Sequence, residues 1–151
     1  LRRVILLDTS GLLSAIDASQ RLHQEAATVL REAAPPLLLS SFVLAELDYL
    51  LGKYVGASAQ SALLQEVERG AYQLEPFDAS DIVEARAVIE RYGDLHVGLA
   101  DASVVVLARR YDVTDVLTLD ERHFRVMAGP GDRPFLLLPA DRPHDTRSGQ
   151  R

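Results

Sequence analysis

The chain has 151 residues, of which 48% are hydrophobic, 25% charged and 6% aromatic, the profile of one folded domain with a sizeable core rather than a disordered chain. It has no Cys, which excludes a disulfide framework, a Cys-ligated zinc site and a thiol nucleophile, and its four His show no metal-ligand spacing such as HExxH. The net charge of −6 argues against a simple cationic nucleic-acid binder, but not against an enzyme that meets phosphates through bound cations.

No apolar run is long enough to cross a bilayer and the N-terminus does not read as a signal peptide, so a cytoplasmic protein is expected. Val4–Leu7 reads as a short buried strand, ending at Asp8-Thr9-Ser10-Gly11, a helix-capping sequence. A helix is expected from about Ser19 to Ala34, stopped by Pro35-Pro36. Leu37–Leu39 gives a second strand, and Ser40-Ser41 caps an unusually apolar helix over about Phe42–Tyr54. Ser58–Arg69 is a further helix with Gly70 after it, and Tyr72–Glu75 a brief strand. Asp78 caps a helix that runs to Tyr92. Leu99–Tyr111 is apolar nearly all round, as a central buried helix would be. Asp115–Leu119 and Phe135–Leu138 supply the fourth and fifth strands.

This alternation predicts an α/β fold in one domain over 1–138: a largely parallel sheet of four to five strands with helices on both faces. Residues 139–151 read as a polar, flexible tail. In such a fold, ligands bind at the carboxyl edge of the sheet, near a topological switch point.

Four carboxylates fall where that edge is expected. Asp8 follows the first strand and Asp120 the fourth; Glu46 lies about one turn into the Phe42–Tyr54 helix, and Asp101 in the first turn of the Leu99–Tyr111 helix. The last two sit among apolar neighbours, where a charge needs a partner. A divalent cation such as Mg²⁺, bound through oxygen ligands, is the economical one. Each acid also has a plain structural reading: a cap for Asp8, a favourable charge at a helix start for Asp101, a turn for Asp120, an Arg pair for Glu46. Convergence of all four on one edge favours the metal. Thr9, Ser10 and Thr118 are placed to support such a site, or merely to cap and pack. Asp48 faces away from Glu46, Asp94 reads as a solvated loop residue, Glu121 as a helix start, and His96 and His123 as structural or surface groups.

Asp8-Thr9-Ser10, Ala45-Glu46-Leu47, Gly98-Leu99-Ala100-Asp101-Ala102 and Thr118-Leu119-Asp120-Glu121-Arg122-His123-Phe124, in this order and setting, resemble PIN-domain ribonucleases and, within them, VapC-type toxins. The resemblance spans Val4 to Leu138. It implies a metal-dependent endoribonuclease with Mg²⁺ or Mn²⁺ held by Asp8, Glu46, Asp101 and Asp120, an RNA substrate, a homodimer and an inhibitory antitoxin. Glu121 departs from the family pattern, in which a basic residue is common there. Arg86, Arg91, Arg109, Arg110, Arg122 and Arg125 are candidates for a phosphate-binding rim, or are solvated charges.

Two alternatives stay open. A haloacid-dehalogenase-like phosphatase also has an Asp after its first strand, but needs a second Asp where Ser10 stands and a later catalytic Lys that Lys53, the only lysine, is ill placed to be. A PIN-like module that binds RNA without cutting it is the other; the intact acid set speaks against it. Finally, Phe42, Val43, Tyr49, Leu50 and Tyr54 cannot all face one core, which points to an interface on that helix, or to a helix buried almost all round.

Overall fold

The computed structural model describes residues 3–142. Among them are five strands in one sheet and seven α-helices: β1 (Leu6–Leu7), α1 (Thr9–Ile16), α2 (His23–Glu32), β2 (Leu38–Ser40), α3 (Ser41–Tyr54), α4 (Ala57–Glu68), β3 (Gln73–Glu75), α5 (Ala79–Arg91), α6 (Leu99–Tyr111), β4 (Asp115–Leu117), α7 (Glu121–Phe124) and β5 (Leu136–Leu138). The sheet is parallel throughout, in the order β3-β2-β1-β4-β5. β1 therefore lies between β2 on one side and β4 on the other. That arrangement is a switch point, and the crevice it opens lies beyond Leu7 and Leu117.

The strands are shorter than their apolar runs. Leu6 pairs with Val116 and Leu7 with Leu117, after which the chain turns, so Thr118 and Leu119 lie past the strand rather than in it. The helix expected from Ser19 begins only at His23. The Asp17 carboxylate accepts hydrogen bonds from the Ser19 N–H, the Ser19 hydroxyl and the Gln20 side chain, which holds 17–20 as a turn. Helix α1, which begins directly after Asp8, takes up the residues before it.

α6 has the limits expected from the sequence, and its residues 102–108 are all buried. It packs on β1 and β2 with α3 and α5 beside it. Within it, the fully buried Ser103 hydroxyl donates to the Ala100 carbonyl at 2.6 Å. It therefore accepts from the Ser40 hydroxyl, also at 2.6 Å, and Ser40 in turn accepts from the Phe42 and Val43 N–H groups at the start of α3. One pair of hydroxyls thus joins the ends of β2, α3 and α6 at the carboxyl edge of the sheet.

α1 packs just as closely against β4. A Cβ on Gly11 would collide with the Leu117 carbonyl and the Thr118 N–H, so only glycine lets the two backbones meet. This contact sets Asp8, Thr9 and Ser10 beside Thr118. At the other end of the described chain, Pro139–Arg142 is held: the Asp141 carboxylate accepts from the Leu137 N–H at 2.8 Å and pairs with Arg125, and Arg142 pairs with Glu32. The rest of the tail, 143–151, lies outside the described residues. Among the described residues no helix is long and apolar enough to cross a membrane.

Candidate metal centre

Asp8 stands at the end of β1 with only 2% of its surface exposed. Its side chain makes no capping bond to α1. Instead, Oδ2 accepts from the Thr118 hydroxyl at 2.6 Å and the Ser10 hydroxyl at 3.2 Å, while Oδ1 is buried with no hydrogen-bond partner. The neighbouring Thr9 hydroxyl is buried and unpartnered too. Burial pushes the Asp8 carboxyl up to about 7; the Thr118 hydrogen bond lowers it, and the negative charges of Asp101 and Asp120 raise it further. A buried acid of this kind, with one oxygen left open, is what a cation site needs before the cation arrives.

The supporting hydroxyls do more than touch Asp8. Thr118 Oγ1 also accepts from the Asp120 N–H at 2.9 Å, and Ser10 Oγ accepts from the Leu119 N–H at 2.9 Å. The turn that carries Asp120 is thereby fastened to the residues that carry Asp8. Asp120 caps α7, its Oδ1 accepting from the His123 N–H at 3.1 Å. The turn reading and the site reading therefore both apply to it.

Asp101 is half-buried in the first turn of α6, and burial raises its carboxyl above the ordinary range although His123 counteracts this. His123 Nδ1 lies 2.9 Å from Asp101 Oδ2 and 2.9 Å from Asp120 Oδ2, and its Nε2 lies 2.7 Å from the Leu95 carbonyl. With both carboxylates ionised, all three neighbours are acceptors, and an imidazole that donates from both ring nitrogens is a cation. Burial opposes that charge, but the Leu95 carbonyl and the Asp120 and Asp101 carboxylates outweigh it and hold the His123 pKa above its ordinary value. His123 is thus no bystander; it is the positive charge that balances two of the acids. Its place in the sequence, three residues after Asp120 on a helical turn, is the signal that could have found it.

Ligand atoms of Asp101, Asp120 and His123 lie within 4.8 Å of one another. Asp8 joins them through its electrostatic coupling to both acids. Glu46 does not fit the expectation of a charge embedded in apolar surroundings: it is exposed. On α3, Val43, Leu47 and Leu51 form the buried stripe, and Ala45, Glu46 and Tyr49 turn to solvent. It is absent from the close group of acids. Asp94 and His96 are likewise exposed, and Glu121 starts α7 and pairs with Arg125.

The residues fit a divalent cation. The donors on offer are carboxylate and hydroxyl oxygens, both His123 nitrogens are already engaged, and Asp8 Oδ1 is free and aligned with no protein donor. The expected arginine rim is largely self-paired: Arg86 with Glu90, Arg91 with Asp132, Arg110 with Glu75 and Asp81, and Arg125 with Glu121 and Asp141. Arg109 and Arg110 stand at the far end of α6 from Asp101.

A family model for the PIN domain matches residues 5–130. Ribonuclease VapC26 of Mycobacterium tuberculosis is 38% identical over 135 residues, covering 89% of this chain and 100% of that protein. The crystal structure of Mycobacterium tuberculosis VapC20, a Sarcin-Ricin loop cleaving toxin, superposes with a TM-score of 0.72 at 22% identity, over 77% of this chain and 89% of that one. VapBC2 from Rickettsia felis, bound to a DNA fragment from their promoter, superposes with a TM-score of 0.61 at 17% identity, over 89% of this chain and 98% of that one. These structures share the fold, and the sequence match shows the lineage: the chain belongs to the PIN-domain family and, within it, to the VapC-type ribonucleases.

Proposed function

We propose that this protein is the toxin of a toxin–antitoxin pair, an endoribonuclease that hydrolyses RNA with Mg²⁺, or Mn²⁺ in its place, held by Asp8, Asp101 and Asp120. Glu46 completes the set from the solvent side of α3. The observation that carries the reading is the buried, unpartnered Asp8 Oδ1 coupled to two further acids. A divalent cation held there supplies a water of lowered pKa and charge stabilisation at a scissile phosphate. The chain's own part is positional. Thr118 and Ser10 hold Asp8 Oδ2, so Oδ1 keeps one direction. His123 holds Asp101 and Asp120 at one spacing while the site is empty of other cations. In hydrolysis, water oxygen bonds to phosphorus, the P–O3′ bond breaks and the 3′ oxygen takes a proton, leaving 5′-phosphate and 3′-hydroxyl ends.

Asp101→Asn keeps the shape of the side chain and removes its charge. It is expected to lower RNA cleavage in Mg²⁺ by about a hundredfold or more while the protein stays folded. Cleavage at the parental rate in that variant would remove Asp101 from the site.

The pH dependence of stability tests the acid cluster independently of activity. Asp8 titrates near 7 in the fold against an ordinary 3.8, a gap of about 4 kcal/mol. Without a cation, the native state keeps a proton between about pH 4 and 7 that the unfolded chain releases, so stability falls as pH rises through that window. The raised values of Asp101 and His123 act in the same direction. The melting temperature in EDTA is expected to be higher at pH 5 than at pH 8, the slope to shrink in Asp8→Asn, and Mg²⁺ to stabilise more at pH 8 than at pH 5. A flat profile, indifferent to Mg²⁺, would contradict the site.

Partners are read from α3. Phe42 packs on Phe77 in a tilted pair, 5.2 Å between ring centroids, and Val43 is buried, so part of the apolar surplus is used within the chain. Tyr49 and Tyr54 remain 63% exposed, and Val55, next to Tyr54 in the chain, is exposed as well. This face suits a second copy and an antitoxin segment. Sedimentation, with and without the product of the adjacent gene, is expected to show a dimer that also takes up that product; a monomer that ignores it would rule out the interface but leave the nuclease reading intact.

A further inference from the structure

Beside the acid cluster, a small open cleft of about 70 Å³ is lined by Arg21, Leu22, Thr118, Leu119, Glu121 and Pro139. Thr118 belongs to both: the residue whose hydroxyl holds Asp8 also lines the cleft. Whatever lies there is one side chain away from the hydrolytic carboxylates. The cleft plays no part in the chemistry derived above.

Its outer wall is built in an unusual way. Leu22 adopts φ 61°, ψ 27°, a left-handed conformation that a branched apolar residue avoids, and it is 38% exposed. Neither feature helps the fold, since the side chain is not taken into the core. The surrounding segment nevertheless holds it in place. The buried Ser14 hydroxyl donates to the Arg21 carbonyl at 2.5 Å, His23 Nδ1 donates to the Ser14 carbonyl at 2.8 Å, and the Asp17 turn precedes both. A strained, exposed residue that its neighbours over-determine points to a role outside folding. Arg21, presented by the same bracing, makes no ion pair among the described residues, whereas Arg125, the other arginine paired around this edge, is held by Glu121 and Asp141.

We propose that this cleft is a subsite for an RNA base next to the scissile phosphate, its face against Leu22, Leu119 and Pro139 and its edge or phosphate on the Arg21 guanidinium. The inference rests on the nuclease reading and adds to it a residue pair that selects and positions substrate. A nucleobase matches the lining: an apolar face needs the leucines and proline, and polar edges meet a donor in Arg21 and an acceptor in Glu121. The neighbouring acids repel a phosphate chain, and an unpaired cation at their border offsets that repulsion where the chain enters.

Two readouts test this. The first is photo-crosslinking of a randomised, 4-thiouridine-substituted single-stranded RNA pool to the full chain in EDTA, so that nothing is cut. Crosslinks are expected at Arg21–Leu22 or Leu119. The second is kinetics of Leu22→Ser and Arg21→Gln on the same pool in Mg²⁺. Each is expected to raise KM about five- to a hundredfold, the span that loss of one stacked base produces. The kcat at saturating RNA and the Mn²⁺-induced shift in melting temperature are expected to stay at parental values. Arg21 is exposed, so Arg21→Gln serves if Leu22→Ser fails to fold. Crosslinks confined to other segments, or KM unchanged in Arg21→Gln, would overturn the subsite. So would loss of antitoxin binding in the variants with RNA binding intact, which would mark a peptide site. A parental protein that cuts no RNA in Mg²⁺ would instead count against the nuclease reading, and the crosslink would still decide the subsite.

Discussion

The burial of one carboxylate governs the design of this molecule. Asp8 sits at the seam between β1 and β4, where two parallel strands end side by side and the sheet changes direction of growth. A charged group there lacks water, and the fold gives it two hydroxyl donors on one oxygen and nothing on the other. The surrounding sequence follows from that. Gly11 is small so that α1 can press on β4, and Thr118 and Ser10 are hydroxyl residues because each must serve Asp8 and the turn bearing Asp120 at once.

A second set of contacts offsets part of the repulsion among the acids. His123 bridges Asp101 and Asp120 and is itself fixed by the Leu95 carbonyl. Behind Asp101, the buried Ser40–Ser103 pair locks the first turn of α6 to the start of α3. The acids at the edge thus rest on hydrogen bonds that reach into the core, while Tyr49 and Tyr54 on α3 stay exposed.

Much of this was legible in the sequence because it depends on local pattern. An all-apolar stretch such as Leu99–Tyr111 reads as a central helix with correct ends, and a short apolar strand ending in Asp places Asp8 at the sheet's edge whatever the rest does. The exposure of Glu46 was hidden for an equally physical reason. When most neighbours in a helix are apolar, composition does not say which stripe is buried; that depends on the elements packed against it, and here Val43, Leu47 and Leu51 won. The break between α1 and α2 was hidden because side-chain bonds to Asp17, not a Gly or Pro, make the turn. His123 was underrated since its partners Leu95 and Asp101 are distant in sequence and meet it only in the fold. The pairing of Arg91 with Asp132 and of Arg110 with Glu75 and Asp81 was invisible for the same reason.

The account turns on Asp8 as a cation ligand, and anomalous diffraction from crystals soaked in Mn²⁺ addresses it most directly. It predicts a Mn²⁺ peak in coordination contact with Asp8 Oδ1 and at least one oxygen of Asp101 or Asp120, and no such peak in Asp8→Asn crystals. A peak elsewhere on the molecule, or a parental site that stays without metal at millimolar Mn²⁺, would contradict it.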